Sequence, residues 1–206
     1  MDVEGELDAP RPARHVTARW WAATIVLVSL PFVPLMTGAA TAVHSDAQEY
    51  HLPLWRWIWH RIADGTSPFW GGFDFAGQNV PGIGQGAIFY PPNAIFAWSD
   101  TVAAFRWWTM AHVWLAASGA FLWSWSRWRS RPGAAVSGVV YALNGVFVLH
   151  FVHVNFTVAL AWLPWLFLGL DLLMARWSAG RLAAFAVPLG MVALAGQPQM
   201  LWAALV

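Results

Sequence analysis

The sequence predicts an all-α integral membrane protein with about five transmembrane helices and a large ordered first extracytoplasmic loop that contains an amphipathic helix. Hydrophobic residues make up 59% of the 206 positions and charged residues only 10%, whereas charged residues approach a quarter of a soluble domain. The apolar residues form long runs, and most arginines lie between these runs. The absence of Cys excludes disulfides and thiol catalysis, and the scattered arginines form no patch for nucleic acid.

Five apolar runs approach or exceed the roughly 20 residues that cross a hydrocarbon core: residues 20–40, 107–125, 134–153, 156–174 and 182–206. Pro31 and Pro34 predict kinks in the first run. That run resembles a signal peptide in its flanking residues, but it is longer than a signal-peptide core, so we favour a retained anchor. The last run is still apolar at Val206, and we therefore expect the chain to be the N-terminal piece of a longer protein.

The arginines predict the orientation. Eight of the eleven lie in the N-terminal arm, in residues 127–131 and in residues 176–181, which share one side of the membrane if the spans alternate. By the positive-inside rule this side is cytoplasmic. The prediction is thus a cytoplasmic N-terminal tail (residues 1–19) and a membrane module (20–206) whose outer loop covers residues 41–106.

The first half of the outer loop has helical periodicity. Apolar residues recur at i, i+3 and i+4 and predict an amphipathic helix: Leu54, Trp55, Ile58, Trp59 and Ile62. This stripe suits a helix that lies in the membrane interface. It suits equally a helix that packs on the protein's own spans, and the sequence leaves both alternatives open.

The second half of the loop predicts an ordered irregular segment, because residues 65–96 hold seven Gly and four Pro. Its end, "FYPPN" at residues 89–93, is a rigid exit from the loop, since two prolines restrict the backbone. Aromatic rings and amides alternate here, a composition that favours carbohydrate binding; the alternative is that the rings fill a small loop core. The residues concerned are Phe69, Trp70, Phe73, Phe75, Phe89, Tyr90, Gln78, Asn79, Gln85 and Asn93.

Two carboxylates follow the first run closely. Asp46 and Glu49 would share one face of a helix that begins at Asp46. A carboxylate at the lipid–water boundary can accept a proton from an attacking hydroxyl; the alternative is that Asp46 only caps the helix. Arg56, Arg61 and Arg106 are the cations of this loop that could bind a departing phosphate.

Polar residues also lie at the outer ends of the later runs. His153 and Asn155 mark either a functional position or simple solvation of a turn. "GQPQ" at residues 196–199 breaks the last run, and its Gln197 and Gln199 must face protein or a water-filled cavity. Counting from the start of that run, we expect the break to lie at the level of the outer loop.

The remaining acidic residues favour structural roles. Asp64 is typical of a turn, Asp100 of a helix cap, and Asp171 is expected to pair with Arg176, about one turn away; Asp74 has no obvious partner. Carboxylates are few and no His cluster has the spacing of metal ligands, so we expect no metal site. No Gly-rich phosphate cradle is present, so we expect neither a nucleotide nor another cofactor.

The motifs taken together resemble those of the bacterial YfhO family of multi-pass membrane proteins. The resemblance rests on "SDAQEYHLPLW", "GTSPFWGGFDFAGQ", "GQGAIFYPPN", "AWLPW" and "LAGQPQ", and runs from about residue 42 to the end. That family usually has His where this chain has Gln197. The resemblance implies a fold like that of the C-type glycosyltransferases, with an early Asp of the first outer loop, here Asp46, at the active site, in the bacterial plasma membrane. It also implies a chain much longer than this one.

The leading hypothesis is therefore a membrane glycosyltransferase that moves a sugar from a polyprenyl-phosphate donor to an extracytoplasmic acceptor, such as a cell-envelope glycopolymer or lipid. Asp46 would be the catalytic base and Glu49 would share its proton. The predicted substrate contacts are Arg56, Arg61, Gln85, Tyr90, Asn93, His153, Gln197 and Gln199. The expected partners are the lipid-linked donor and membrane lipid. The alternatives are a multi-pass transporter or flippase and a non-catalytic membrane assembly factor.

Overall fold

A computed structural model describes residues 14–72, 76–99 and 101–205 of the chain. Within these residues the structure is mostly helical, with two very short strands. The helices are α1 (Arg14–Ser29), α2 (Val33–Thr37), α3 (Leu52–Ala63), α4 (Thr101–Trp128), α5 (Arg131–Ala142), α6 (Gly145–Leu149), α7 (Val154–Ala175), α8 (Ala179–Leu194) and α9 (Pro198–Leu205). Of the predicted tail, residues 14–19 already belong to α1, and the rest lies outside the described residues.

Three helical stretches of the described residues are long and apolar enough to cross a membrane: Thr17–Thr37, Arg131–Val152 and Val154–Ala175. The first joins α1 to α2 through a 3₁₀ turn, Leu30–Phe32, at the two prolines that predicted kinks. In the second, the side chain of Asn144 accepts a hydrogen bond from the Phe147 N–H, which starts α6 after a break in the helix. The predicted class, an all-α integral membrane protein, is confirmed.

The other two predicted spans are less regular. Residues 107–125 lie within α4, whose 28 residues are long enough to cross a bilayer but include several Trp, Ser and His residues that make it less apolar. The last run is divided: α8 ends at Leu194 and α9 begins at Pro198. Gly196, with φ +74°, and the following Pro198 account for this interruption.

Helices α7 and α8 pack closely because Gly169 has no side chain. A Cβ at this position would collide with the backbone carbonyl of Ala184. Small residues permit such approach between membrane helices, where lipid supplies no hydrophobic driving force for association. Gly169 therefore sets the spacing of the α7–α8 pair.

One ion pair joins α4 to α7 at their C-terminal ends. Arg127 donates from Nε and Nη2 to the two carboxylate oxygens of Asp171, each at 2.7 Å, and the Trp123 Nε1–H donates to the same carboxylate at 2.8 Å. The predicted pairing of Asp171 with Arg176 is therefore wrong. Sequence proximity suggested Arg176, but the packing of α4 on α7 brings Arg127 into a bidentate geometry. We call this end of the helices the arginine end.

The loop between α2 and α4 packs on the opposite end of the helices. Leu54, Trp55 and Ile58 of α3 are buried within the protein, which favours packing on the chain itself over a purely interfacial helix. The second half contains two antiparallel strands, β1 (Trp70–Gly71) and β2 (Gln78–Asn79), with Trp70 opposite Asn79. Three 3₁₀ turns follow, Val80–Gly82, Gly84–Gly86 and Pro91–Ala97, and the segment is irregular, as its Gly and Pro content predicts.

Candidate functional site around Asp46 and His153

Asp46 lies at a strained bend in the chain. Ser45 has φ +50°, a left-handed conformation that is uncommon outside glycine. Residues Ala47–His51 then form one turn of π-helix, a geometry that is often found at functional positions. The Asp46 side chain makes no capping hydrogen bond and is 57% exposed. The alternative that Asp46 serves as a helix cap thus lacks the bond that would define it.

The closest ionisable partner of Asp46 is a histidine from a different element. His153 Nε2 lies 3.8 Å from Asp46 Oδ2, and its side chain is half exposed. His153 sits in the turn before α7, where its ring contacts those of His150 and Phe156, with centroids 5.3 Å and 6.2 Å away. At this distance the carboxylate and the imidazole form no hydrogen bond, but they can interact electrostatically, and both side chains remain open to a ligand.

His51 lies on the buried side of Asp46 and His153. Its side chain is only 4% exposed, and its Nδ1 has no hydrogen-bond partner among the described residues. Burial lowers the pKa of His51 to about 4; the Asp46 charge opposes this shift and His153 adds to it. His51 is therefore neutral at physiological pH and does not neutralise Asp46.

Asn155 connects the loop to the break between α8 and α9. Its Nδ2 donates to the Gln85 carbonyl at 2.9 Å and to the Gly196 carbonyl at 3.3 Å. A Cβ on Gly196 would lie 2.5 Å from the Gly84 carbonyl oxygen, so only glycine fits. The "GQPQ" break thus lies against residues 84–87 of the loop, as its position in the last run predicts.

The contact between the loop and the helix break lies close to Asp46. Ala47, Val154 and Ala195 belong to one buried cluster, which places the chain next to Asp46, the start of α7 and the helix break side by side. Simple solvation is wrong for Asn155, which is 3% exposed, whereas it suits the half-exposed His153. The buried Asn155 Oδ1 has no partner within the described residues.

Tyr90 and Asn93, from the "FYPPN" segment, anchor the loop in the helices. The Tyr90 hydroxyl lies 2.7 Å from His112 Nε2 and accepts from Trp162 Nε1–H at 3.0 Å. His112 Nδ1 faces the Trp108 carbonyl at 2.7 Å and must donate to it, so Nε2 accepts and the Tyr90 hydroxyl donates. Burial raises the pKa of Tyr90, which stays protonated.

The network continues through the amide of Asn93. Trp108 Nε1–H donates to Asn93 Oδ1 at 3.0 Å, and Asn93 Nδ2 donates to the Ala87 carbonyl at 3.4 Å. We call this set of five side chains the anchor network: Tyr90, Asn93, Trp108, His112 and Trp162. Tyr90 and Asn93 are both fully buried and bonded within the protein, and their role in substrate binding stays a prediction.

The three loop cations each contact a different partner. Arg56 bonds to the Thr101 hydroxyl at the start of α4. Arg61, about four helical turns beyond Asp46, donates to the Ser67 carbonyl at 2.6 Å and covers the Trp57 ring. The Arg106 guanidinium lies against Gly38, in the segment that leads to Asp46.

The other predicted site residues are divided between surface and interior. Glu49, Gln199 and the side chain of Gln85 are exposed, whereas Gln197 is buried. Among the aromatic residues predicted to bind carbohydrate, Phe69, Trp70 and Phe89 are exposed. The rings of Phe69 and Phe89 meet edge to face, with their centroids 6.3 Å apart. Phe73, Asp74, Phe75 and Asp100, to which the sequence also assigns roles, lie outside the described residues.

Sequence reasoning missed His51 and His112. His51 lies five residues after Asp46. A π-helical turn places residues at this spacing on one face, whereas an α-helix does not. His112 lies within a predicted span, and a titratable residue at membrane depth was the available signal. In the part of the chain that the structure describes, no group of three or more His, Asp and Glu residues could hold a metal ion.

The fold and the composition together define an all-α integral membrane protein with a polar corner where a loop meets two helix ends. Compared with models of protein families, with curated proteins and with solved structures, the chain gives no match. The resemblance to the YfhO family consequently rests on the motifs alone and stays a prediction.

Proposed function

We propose that this chain belongs to a membrane glycosyltransferase of the YfhO type, which transfers a sugar from a polyprenyl-phosphate donor to an extracytoplasmic acceptor. The observation that carries the proposal is the position of the Asp46 side chain. Its carboxylate is exposed, makes no capping hydrogen bond, lies at a strained bend and is 3.8 Å from His153. Strain of this kind is kept where function requires a particular geometry. The exposed rings of Phe69, Trp70 and Phe89 belong to the same loop and offer flat faces to a sugar.

The proposed topology follows from the arginines and the helices. Five crossings would be formed by α1–α2, α4, α5–α6, α7 and α8–α9 in the bacterial plasma membrane. The arginine end would face the cytoplasm with the N-terminus, and residues 41–106 would lie outside. This arrangement supports the proposed chemistry, because a lipid-linked donor presents its phosphate at the level of the headgroups.

In the proposed reaction Asp46 takes the proton of the acceptor hydroxyl while that oxygen bonds to the anomeric carbon of the donor sugar. The bond from this carbon to the phosphate oxygen breaks, and its electron pair leaves with the polyprenyl phosphate. Arg106 is the best-placed cation for the departing phosphate, since Arg56 and Arg61 contact other parts of the loop. Glu49 and His153 would assist Asp46 in holding the proton.

The test is Asp46→Asn, assayed in membranes with a radiolabelled sugar on polyprenyl phosphate. We expect transfer to fall by about 10²–10⁴-fold, the usual contribution of a general base, with unchanged membrane insertion. Asp64→Asn is the matched control, because Asp64 is an exposed aspartate of the same loop that lies at the end of α3. Full transfer by Asp46→Asn would remove the proposal.

A second candidate, a transporter for a lipid-linked or polar solute, is favoured by the break between α8 and α9. Discontinuous helices with unwound backbone commonly form transporter binding sites, and here the break is held by Asn155. Proteoliposomes separate the two candidates. A transporter moves the lipid-linked sugar across the bilayer without consuming it, whereas a transferase converts the donor and leaves free polyprenyl phosphate.

A further inference from the structure

The turn between α4 and α5, at the arginine end, places two cations around one aromatic ring. The guanidinium carbons of Arg129 and Arg131 lie 5.8 Å and 5.6 Å from the centroid of the Trp125 ring. Each contact is a cation–π interaction. Both guanidinium groups are therefore held beside the same side chain.

The two charges lack a carboxylate partner among the described residues. Among the described residues, Asp171 is the acidic residue of this end, and Arg127 binds both of its oxygens. The Arg131 Nε–H is shielded from solvent and has no acceptor in the part of the chain described here. Buried donors in proteins nearly always have an acceptor, and an unsatisfied one points to a missing water or ion.

The backbone of Arg129 gives a second, independent indication. Its φ is +52°, and its N–H donates to the Trp125 carbonyl at 3.1 Å, which ends α4. Glycine is the usual residue at this left-handed position, because a side chain is strained there. An arginine at such a position is explained if its charge is required.

The depth of the turn identifies the anion. Arg131 begins a stretch that is long and apolar enough to cross the membrane, and Trp128 and Trp177 at this end are largely exposed, as is typical of the headgroup level. We propose that Arg129, Trp125 and Arg131 form a binding site for the phosphate of an anionic phospholipid. Phosphate oxygens would accept hydrogen bonds from the guanidinium groups and neutralise their charges.

Native mass spectrometry of the detergent-solubilised protein tests this site, with phosphatidylglycerol or phosphatidylcholine added at increasing concentration. We expect a preference for phosphatidylglycerol, and about a tenfold or greater loss of its affinity in the double variant Arg129→Gly, Arg131→Gln. Arg176→Gln removes a charge from the same end but none from the Trp125 stack, and it should retain the affinity. Arg129→Gly alone relieves the strained φ and should not lower the melting temperature. A loss of lipid affinity in this variant would then not result from misfolding.

Three outcomes would overturn the proposal. Equal affinity for the two lipids would show that the site does not recognise anionic headgroups. Losses of binding free energy that are equal per charge removed in the double variant and in Arg176→Gln would show that only net charge matters. Displacement of the bound lipid by millimolar inorganic phosphate would show a site for free phosphate instead of a lipid site.

Discussion

Residues 87–96 and residues 45–51 belong to the same loop, and both pack near the start of α7. The polar groups of the first segment are hydrogen-bonded within the protein, whereas those of the second are exposed or unsatisfied. In the anchor network, the Tyr90 hydroxyl, the His112 imidazole, the Trp108 and Trp162 indoles and the Asn93 amide are each hydrogen-bonded. Around Asp46, the carboxylate is exposed, Ser45 is strained and His51 keeps an unsatisfied nitrogen. Since satisfied buried networks rigidify and strain is retained at functional sites, the first region holds the loop and the second is available for a ligand.

Removing one hydroxyl from the anchor network should have the largest effect. Tyr90→Phe leaves two groups without this partner, the buried His112 Nε2 and the half-buried Trp162 Nε1–H. At about 1–3 kcal/mol for each unsatisfied group, we expect a loss of about 2–6 kcal/mol in unfolding free energy, measured by thermal unfolding in detergent. Phe89→Leu is the control, because Phe89 is the exposed neighbour. A melting temperature for Tyr90→Phe equal to that of the control would mean that this network does not hold the loop.

The sequence predicted much of the fold because its signals are local. Runs of about 20 apolar residues identify the stretches that end in α2 and α7, and Gly196 with Pro198 marks the interruption between α8 and α9. The pairing of Asp171 was predicted wrongly, since the choice between Arg127 and Arg176 depends on how α4 packs on α7. Contacts between residues that lie far apart in the sequence cannot be predicted from hydrophobic periodicity.

The candidate site shows the same division. Asp46 was predicted from its position just after the first span, but its neighbour in the fold is His153, more than one hundred residues later, and Glu49 is simply exposed. The burial of Asn155 depends on two carbonyls contributed by the loop and by the helix break. Tyr90 was chosen as a ligand-binding aromatic, and only packing shows that its hydroxyl is bonded inside the protein.

Acid should destabilise the folded protein through His51. The pKa of His51 is about 4 in the folded protein, against about 6.5 in an unfolded chain. Between these values the unfolded chain binds a proton that the folded protein does not. Stability is therefore complete above about pH 6.5 and falls as the pH is lowered towards 4, by roughly 2–3 kcal/mol.

Thermal melts of the wild-type protein and of His51→Gln across this pH range measure the contribution. Glutamine does not titrate, so the variant should lose part of its acid sensitivity even if it is less stable at neutral pH. His44→Gln, which removes an exposed histidine of the same loop, should leave the acid sensitivity unchanged. Identical pH profiles for His51→Gln and wild type would assign the acid sensitivity to other groups.

The smallest expected effect tests whether the strain at Ser45 serves the neighbouring carboxylate. Ser45→Gly relaxes a φ of +50°, and glycine adopts this conformation without a steric penalty, so we expect a gain of up to about 1 kcal/mol in unfolding free energy. If the bend positions Asp46 beside His153, the same variant should lose activity while gaining stability, because the freed backbone holds the carboxylate less firmly. Ala76→Gly is the matched control, since Ala76 has a similar φ of +64° in another part of the loop: it should gain stability without a change in activity. A Ser45→Gly protein that is both more stable and fully active would show that the bend is an incidental feature of the loop.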